Sequence, residues 1–524
     1  MMKRIFIYLL TLLFIVAGCS DTTSSDGNKN PKKNEAPKEK VLKVAVDSNP
    51  AVFDPYKLST NSELVISQPI YNTLLRFKTS SIDIEDIEGG LAEDWETSKD
   101  GLTWTFKLRK GVQWHHGYGE FTSADVKYSI ERVMDPELGS TSRENFKQVD
   151  KIETPDSYTV IIHLKQPDPA FLQSICGPAI VKKEAIEDNE KSGEIRPIGT
   201  GPFMFEEFKQ NEKAVLVKNK DYFLGEPKLE KVEIHFMTDL TAIEIALKNG
   251  EIHMGPGLYE PAWLEQMSKN KDLTLDVSEN GVFWGLYLNT SVDIYKNMNL
   301  RKAIAHAIDI KKYVKSRRLT AVEPKSVINS AVRGAYDAHY QYDLKKAKKY
   351  LKEAGYPNGV KLPEMTIPNL ASFKGGAEFI QEELRKVGIE LPLKSVDMAS
   401  WVELVYSNQN PSTTVGLAAF GEAVVPFRSM FYGPSSMGQP TAIYNLTHFH
   451  EADRLIEQAE TEIDRQKLDD LYKQIVEKIH DAYVVIPYVE GRSPLIRSNK
   501  VDLGYDFKST MIYMYYITEK TDLK

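Results

Sequence analysis

Two apolar rhythms alternate along almost the whole chain, and they restrict its fold more than any other feature. A period of two residues marks strands, and a period near 3.6 marks helices. "VLKVAVDSN" reads as a strand running into a turn, and "LTWTFKLRKGVQW" alternates strictly, with Trp104, Phe106 and Leu108 on one face. "TSADVKYSIERVMDP" opens on a Ser/Thr cap and keeps helical spacing as far as Pro136. "KLEKVEIHFMTDLTAIEIALKNGEIHM" reads as strand, helix, a stop at Gly250, and strand again. "DLKKAKKYLKEAG" and "GAEFIQEELRKVG" are helices closed by a glycine just past their last turn. "ADRLIEQAETEIDRQKLDDLYKQIVEKIHDA" supplies one or two long helices. The alternation runs through both halves, so the class is α/β. No short-period repeat is present, which argues against a solenoid.

A chain of 524 residues is too long for one core, and two or three domains are expected. Hydrophobic residues at 42% and charged residues at 27% are ordinary for a globular protein. The net charge of −8 disfavours general nucleic-acid binding, whose affinity rests on neutralising phosphates. Only two cysteines occur, Cys19 and Cys176. Cys176 lies in "FLQSICGPAIV" and is expected to be a buried structural thiol.

The start of the chain explains the other cysteine. Lys3 and Arg4 precede an apolar run from Ile5 to Ala17, shorter than the roughly 20 residues a membrane span needs. Small residues before a cleavage point mark an export signal. Val16-Ala17-Gly18-Cys19 resembles the lipobox of bacterial lipoproteins. That resemblance implies a signal peptide over 1–18 and a lipid anchor on Cys19. Loss of Lys3 and Arg4 with the leader takes the net charge from −8 to −10. The following "SDTTSSDGNKNPKKNEAPKEK" carries almost no large apolar side chain, so 19–40 is expected to be a disordered tether.

Several stretches, in order, carry a wider resemblance. "GGLAEDWETSKDGLTWTFKLRKGVQWHHG", "FTSADVKYSIERVMDPE", "PIGTGPFMFEEF", "GVFWGLYLNTS", "NMNLRKAIAHAID" and "YDLKKAKKYLKEAGYPNG" resemble the family-5 extracellular solute-binding proteins. These are receptors of ABC importers for oligopeptides, dipeptides or nickel. The resemblance implies a two-lobed α/β fold of the periplasmic-binding-protein type (class II, cluster C) with an additional β-rich subdomain. Lobe I would hold 41–73, 198–288 and 488–524, the inserted subdomain 74–197, and lobe II 289–487. It also implies a monomer on the outer face of the cell membrane, delivering a solute to an ABC permease and its ATPase, with no cofactor.

Peptide-binding members of the family clamp the ligand's amine with an aspartate in a glycine–tryptophan–x–x–aspartate stretch. A dehydrated ammonium needs an opposite charge and acceptors. Here the stretch reads "GLAAFGEAVVPF": Glu422 stands at the acidic position, one methylene longer, and Ala419 replaces the common aromatic. The same transfer points to Phe53, Phe283, Trp284, Trp401, Tyr488 and Arg492 as cleft residues, Arg492 as a bidentate partner for a ligand carboxylate. Each aromatic is more often a packing residue than a ligand contact. A nickel, metallophore, sugar or opine receptor is the nearest alternative; His115, His116, His448 and His450 are its possible imidazoles, though without a companion Cys/His cluster. No nucleophile elbow, zincin helix or nucleotide loop occurs, and a cell-wall peptide hydrolase is the alternative outside the class.

Overall fold

A computed structural model describes residues 39–524, apart from 59, 141, 194–195, 280, 419–420 and 509–514. The leader, Cys19 and nearly all of the expected tether lie outside the described residues.

Local signals set the elements. Helix Ser123–Met134 starts where Asp125 folds back to accept from the Thr122 backbone N–H at 2.9 Å. Strand Lys231–Phe236 leads to helix Leu240–Asn249, which Asp239 caps by accepting from Thr241 N–H at 2.8 Å. That helix ends on Gly250 in the left-handed region, at a φ of 73°, and strand Met254–Pro256 follows. The long helical stretch near the C-terminus is two helices, Asp453–Ala459 and Arg465–Ala482.

Strand Val41–Val46 is central to a seven-stranded sheet. It pairs in parallel with Lys231–Phe236 on one side and with Met254–Pro256 on the other. Strands Lys213–Lys218 and Phe203–Lys209 extend the sheet one way, and Pro494–Ser498 and Leu273–Val277 the other. Alternation then sends Leu42, Val44 and Val46 into one core and Ala45 into the core on the opposite face. The first of these cores runs on without a break into a four-stranded antiparallel sheet of Ala92–Thr97, Thr103–Leu108, Thr159–Leu164 and Val149–Asp156, where Phe106 and Ile162 are buried. The inserted β-rich unit is thus packed onto the first lobe rather than hung from it.

A second four-stranded sheet organises the other lobe: Ala321–Val322, Val485–Gly491, Val282–Leu288 and Ser412–Ala418. Phe283 and Tyr287 face one core, and Leu286 and Leu288 the other. Strands Val282–Leu288 and Val485–Gly491 pair with each other here. Between Val277 and Val282, and again between Gly491 and Pro494, the chain passes from one of these two sheets to the other. The two crossings are tied together. Ser278 N–H donates to Ser493 O at 3.0 Å, Ser493 N–H donates to Ser278 Oγ at 2.8 Å, and Gly281 N–H donates to Gly491 O at 2.9 Å. A pair of short, mutually bonded crossings is what a hinge between two rigid lobes requires.

The "GTGP" turn needs its glycines for close approach. A Cβ on Gly199 would lie 2.0 Å from the Ile70 carbonyl oxygen, and one on Gly201 would lie 2.4 Å from the Pro69 carbonyl oxygen. Backbone cannot swing aside as a side chain can. Gly199→Ala is expected to cost about 2 kcal/mol, read as a lower urea midpoint at unchanged slope.

Candidate functional site

A cavity of about 980 Å³ opens where the elements of both lobes meet. One wall is the hairpin of Leu75–Phe77 and Ile87–Gly89 with its connecting loop. The hinge contributes Glu279, the second lobe contributes Ala331, Val332, Arg333 and Gly421, and the C-terminal stretch contributes Tyr505, Asp506, Lys508 and Glu519. The wall is strongly charged. Asp83, Glu85, Asp86, Glu88, Glu279, Asp506 and Glu519 face Arg76, Lys78, Arg333, Lys508 and Lys520. Carboxylates outnumber cations, so the wall favours a ligand that is cationic or zwitterionic over a simple anion.

Ion pairs link the inserted unit to the second lobe, and others brace the second lobe beside them. Lys147 Nζ reaches Glu460 at 2.8 Å, and Arg428 Nη1 binds the other oxygen of Glu460 at 2.6 Å. Arg465 lies 3.5 Å from Glu85 and 2.8 Å from Glu422. Gln173 Oε1 accepts from the Glu422 backbone N–H at 2.8 Å. Ile82 and Ala170, from the inserted unit, are buried in a core of the second lobe.

Glu422 follows Gly421 of the cavity wall, and its carboxylate is already partnered. It is fully buried, with Arg333 Nη1 at 3.3 Å from both oxygens, Arg465 Nη1 at 2.8 Å and the Tyr472 hydroxyl donating at 2.9 Å. Burial still raises its carboxyl above the ordinary range, ahead of the opposing pull of Arg333, Tyr472 and Arg465. The expected amine anchor thus has its charge already answered by two guanidiniums and a phenol. Arg333, Arg465 and Tyr472 carry no local signal, because they are brought to Glu422 from 43 to 89 residues away.

The other expected residues lie off the wall of this cavity. Phe53 packs edge-on against Phe208 and Phe205 at ring distances of 4.9 and 6.0 Å, over the edge of the large sheet. Phe283 is core. Trp284, Phe373 and Trp401 form a chain of edge-to-face rings at 5.1 and 5.5 Å, and a Cβ on Gly416 would strike the Trp284 indole at 2.5 Å. Trp401 is buried, and its indole N–H has no acceptor among the described residues. Tyr488 is buried against Tyr313 and beneath Gly376. Arg492 sits in the second crossing, its backbone N–H donating to Thr320 O at 2.8 Å. Its Nε is buried with no partner among the described residues.

The histidines serve structure. His115 is buried; its Nδ1 accepts from Gly199 N–H at 3.3 Å and its Nε2 donates to Gly201 O at 2.9 Å. His116 Nε2 donates to Phe205 O at 3.0 Å, and His448 Nε2 to Asn408 Oδ1 at 2.8 Å. Among the described residues, no group of three or more His, Cys, Asp or Glu is placed to hold a metal ion. Cys176 is half-buried, with its thiol donating to Leu172 O at 3.2 Å and pushed up to about 12 by burial. Such a thiol is inert near neutral pH.

Comparison with known proteins agrees with this geometry. Residues 86–439 match the middle region that characterises bacterial extracellular solute-binding proteins of family 5. The chain is 30% identical over 371 residues to the glutathione-binding protein GsiB of Salmonella choleraesuis, covering 68% of this chain and 70% of the relative. It superposes on the binding protein MoaA of A. tumefaciens R10, solved with mannopinic acid, with a TM-score of 0.82, 31% identity and coverage of 93% of this chain and 100% of the other. It also superposes on the ABC transporter-associated periplasmic binding protein DppA of Helicobacter pylori, solved with the peptide STSA, with a TM-score of 0.76, 28% identity and coverage of 92% and 98%.

Proposed function

The chain belongs to the bacterial extracellular solute-binding proteins of family 5, and from that membership we propose that it captures short peptides between its lobes and passes them, unaltered, to an ABC permease. The observation that carries the reading is the charged cavity at the hinge, whose wall holds both signs with carboxylates in excess. A short peptide is a zwitterion, and its two ends match such a wall. Closure would follow from ligand contacts made only when the lobes meet. The relatives that bind glutathione and the peptide STSA support a peptide or a peptide-like solute. Likeness to the mannopinic acid receptor, at 31% identity over nearly the whole chain, favours a second reading: an opine, which is an amino acid joined to a sugar-derived chain.

The division of labour among segments belongs to the same proposal. Lobe I comprises 41–73, a stretch from 198 to the first crossing, and the C-terminal segment; the β-rich unit spans 74–197; lobe II lies between the crossings. Cys19 carries lipid and holds the monomer at the outer face of the cell membrane. Cys19→Ser is then expected to release the protein into the medium or periplasm, which fractionation would read.

The ligand test is calorimetric titration with Met-Leu, glutathione, mannopinic acid and a nickel–histidine complex. Binding of Met-Leu or glutathione supports the peptide reading. Binding of mannopinic acid alone transfers the function to the opine class. Binding of the nickel complex alone would contradict both.

A further inference from the structure

Strand Ala321–Val322 pairs with the end of strand Val485–Gly491, with Ala321 opposite Gly491 and Val322 opposite Glu490, and the loop that follows brings Ser330 to Glu490. Glu490 is buried, and Phe283 is its neighbour on the other side. One of its oxygens is filled: Oε1 accepts from the Ser330 backbone N–H at 2.8 Å and from the Ser330 hydroxyl at 2.6 Å. The other, Oε2, is buried with no donor among the described residues. The loop leaves matching gaps on the opposite side of the ledger of polar atoms. Asn329 Nδ2 and Ser326 Oγ are buried with no partner among the described residues, as is Arg492 Nε two residues beyond Glu490. Asn329, Ser326 and Glu490 are each at most 3% exposed. The next residues of the same loop, Ala331, Val332 and Arg333, form the wall of the cavity.

Buried polar groups in a folded protein are nearly always paired, and a cluster of exceptions calls for an occupant. The chemistry of the gaps is specific. Glu490 Oε2 needs a donor. Asn329 Nδ2 and Arg492 Nε are donors only and need an acceptor. A simple cation fails the two N–H groups, and a simple anion fails the carboxylate. An α-ammonium with its adjacent carbonyl oxygen satisfies both, because the two polar atoms of one amino-acid head lie side by side.

We propose that Glu490, rather than Glu422, receives the α-ammonium of a bound peptide, while Asn329 and Arg492 donate to the carbonyl of the same residue. This deepens the peptide reading and rests on it. Glu422 is closed by Arg333, Arg465 and Tyr472, whereas Glu490 has a vacant oxygen and Ser330 to hold its orientation. Burial raises the Glu490 carboxyl, against the pull of Ser330, Lys325 and Arg492, so an arriving ammonium would supply the nearby charge that keeps it ionised.

The test is a double-mutant-type cycle on ligand and protein, by calorimetry with Met-Leu and N-acetyl-Met-Leu. Glu490→Gln keeps an acceptor for Ser330, removes the charge and turns the other oxygen into an N–H donor. Against Met-Leu it is expected to weaken binding about 10- to 100-fold. Acetylating the amine should weaken binding to the unmodified protein by a similar factor, and binding to Glu490→Gln by less than about threefold. Asn329→Ala, which leaves the carboxylate in place, should weaken Met-Leu about 3- to 10-fold. Equal affinity of the wild-type protein and Glu490→Gln for Met-Leu, or independent multiplication of the two losses, overturns the assignment and leaves the gaps to ordered water. Failure of the wild-type protein to bind Met-Leu overturns it together with the peptide reading, so the two failures are distinguishable.

Discussion

Glu422→Ala should destabilise the protein by about 3 kcal/mol, whereas Glu422→Gln should cost about 1 kcal/mol or less. The alanine variant leaves the wholly buried Tyr472 hydroxyl facing a hole, while Arg333 keeps only Asp469, at 2.7 Å from its Nη2. Removing one member of a buried pair costs more than the pair contributed, because the survivor stays dehydrated. Arg333 and Arg465 retain partial access to water, with side chains 22% and 49% exposed, which keeps the figure at the lower end of the range for such pairs. Glutamine retains an oxygen for Tyr472 and sheds the charge that burial penalises. Urea midpoints of the two variants check this. If alanine and glutamine behaved alike, the network would not be what fixes this corner of the cleft. The affinity for ligand should follow the loss of order at Gly421 on the cavity wall, not the loss of an ammonium partner.

Stability should also fall with acid, and His115 accounts for about 3 kcal/mol of the fall. Burial holds its pKa down to about 4, against an ordinary value of 6.5. Between those values the unfolded chain binds the proton and the folded protein does not. The stability is therefore fully present above pH 6.5 and is lost as pH falls toward 4. A shift of about 2.5 units at 1.36 kcal/mol per unit gives the size of the effect. The physical cause is the cage: Nδ1 is committed to accepting from Gly199 N–H, so a second proton would break that bond inside a dry site. Asp168, raised to about 6 by burial, works in the opposite sense over part of the range. The share of His115 is consequently read as the difference between wild type and His115→Asn. The variant should be less stable at pH 7 and have a flatter acid limb. Parallel acid limbs would contradict the assignment.

What could be read in advance was local. The run from Lys231 to Pro256 gave up its strand, helix, glycine stop and second strand because each is written in consecutive residues: alternation, an Asp239 cap, and Gly250. The helix at Ser123 was equally legible from Thr122 and Asp125. The pairing of Val41–Val46 with both Lys231–Phe236 and Met254–Pro256 was not, since register between distant strands is settled by packing on two faces. Sheet membership near the crossings is not written locally either. "VFWGLYLN" reads as a buried strand in either lobe, and only its pairing with Ser412–Ala418 and Val485–Gly491 assigns it.

The site divides in the same way. Glu422 was pointed to by the family resemblance alone, and its surroundings depend on Arg333, Arg465 and Tyr472, which the fold gathers from elsewhere. His115 looked like a metal candidate because it has a histidine neighbour. It is a neutral clamp on the Gly199 turn because that turn approaches it in space. The carboxylate-rich hairpin around Asp83 and Asp86 attracted no attention in the sequence, where a short acidic run is ordinarily a solvated surface. Its role as a cavity wall exists only once the second lobe closes over it.

Native mass spectrometry of the exported protein mixed with Met-Leu and glutathione tests most directly whether the cleft captures a solute and leaves it intact. The expected spectrum shows one non-covalent ligand per chain, released on activation at the full mass of the peptide supplied. Release of hydrolysed fragments, or a spectrum of bare protein at peptide concentrations that saturate related receptors, would contradict the account.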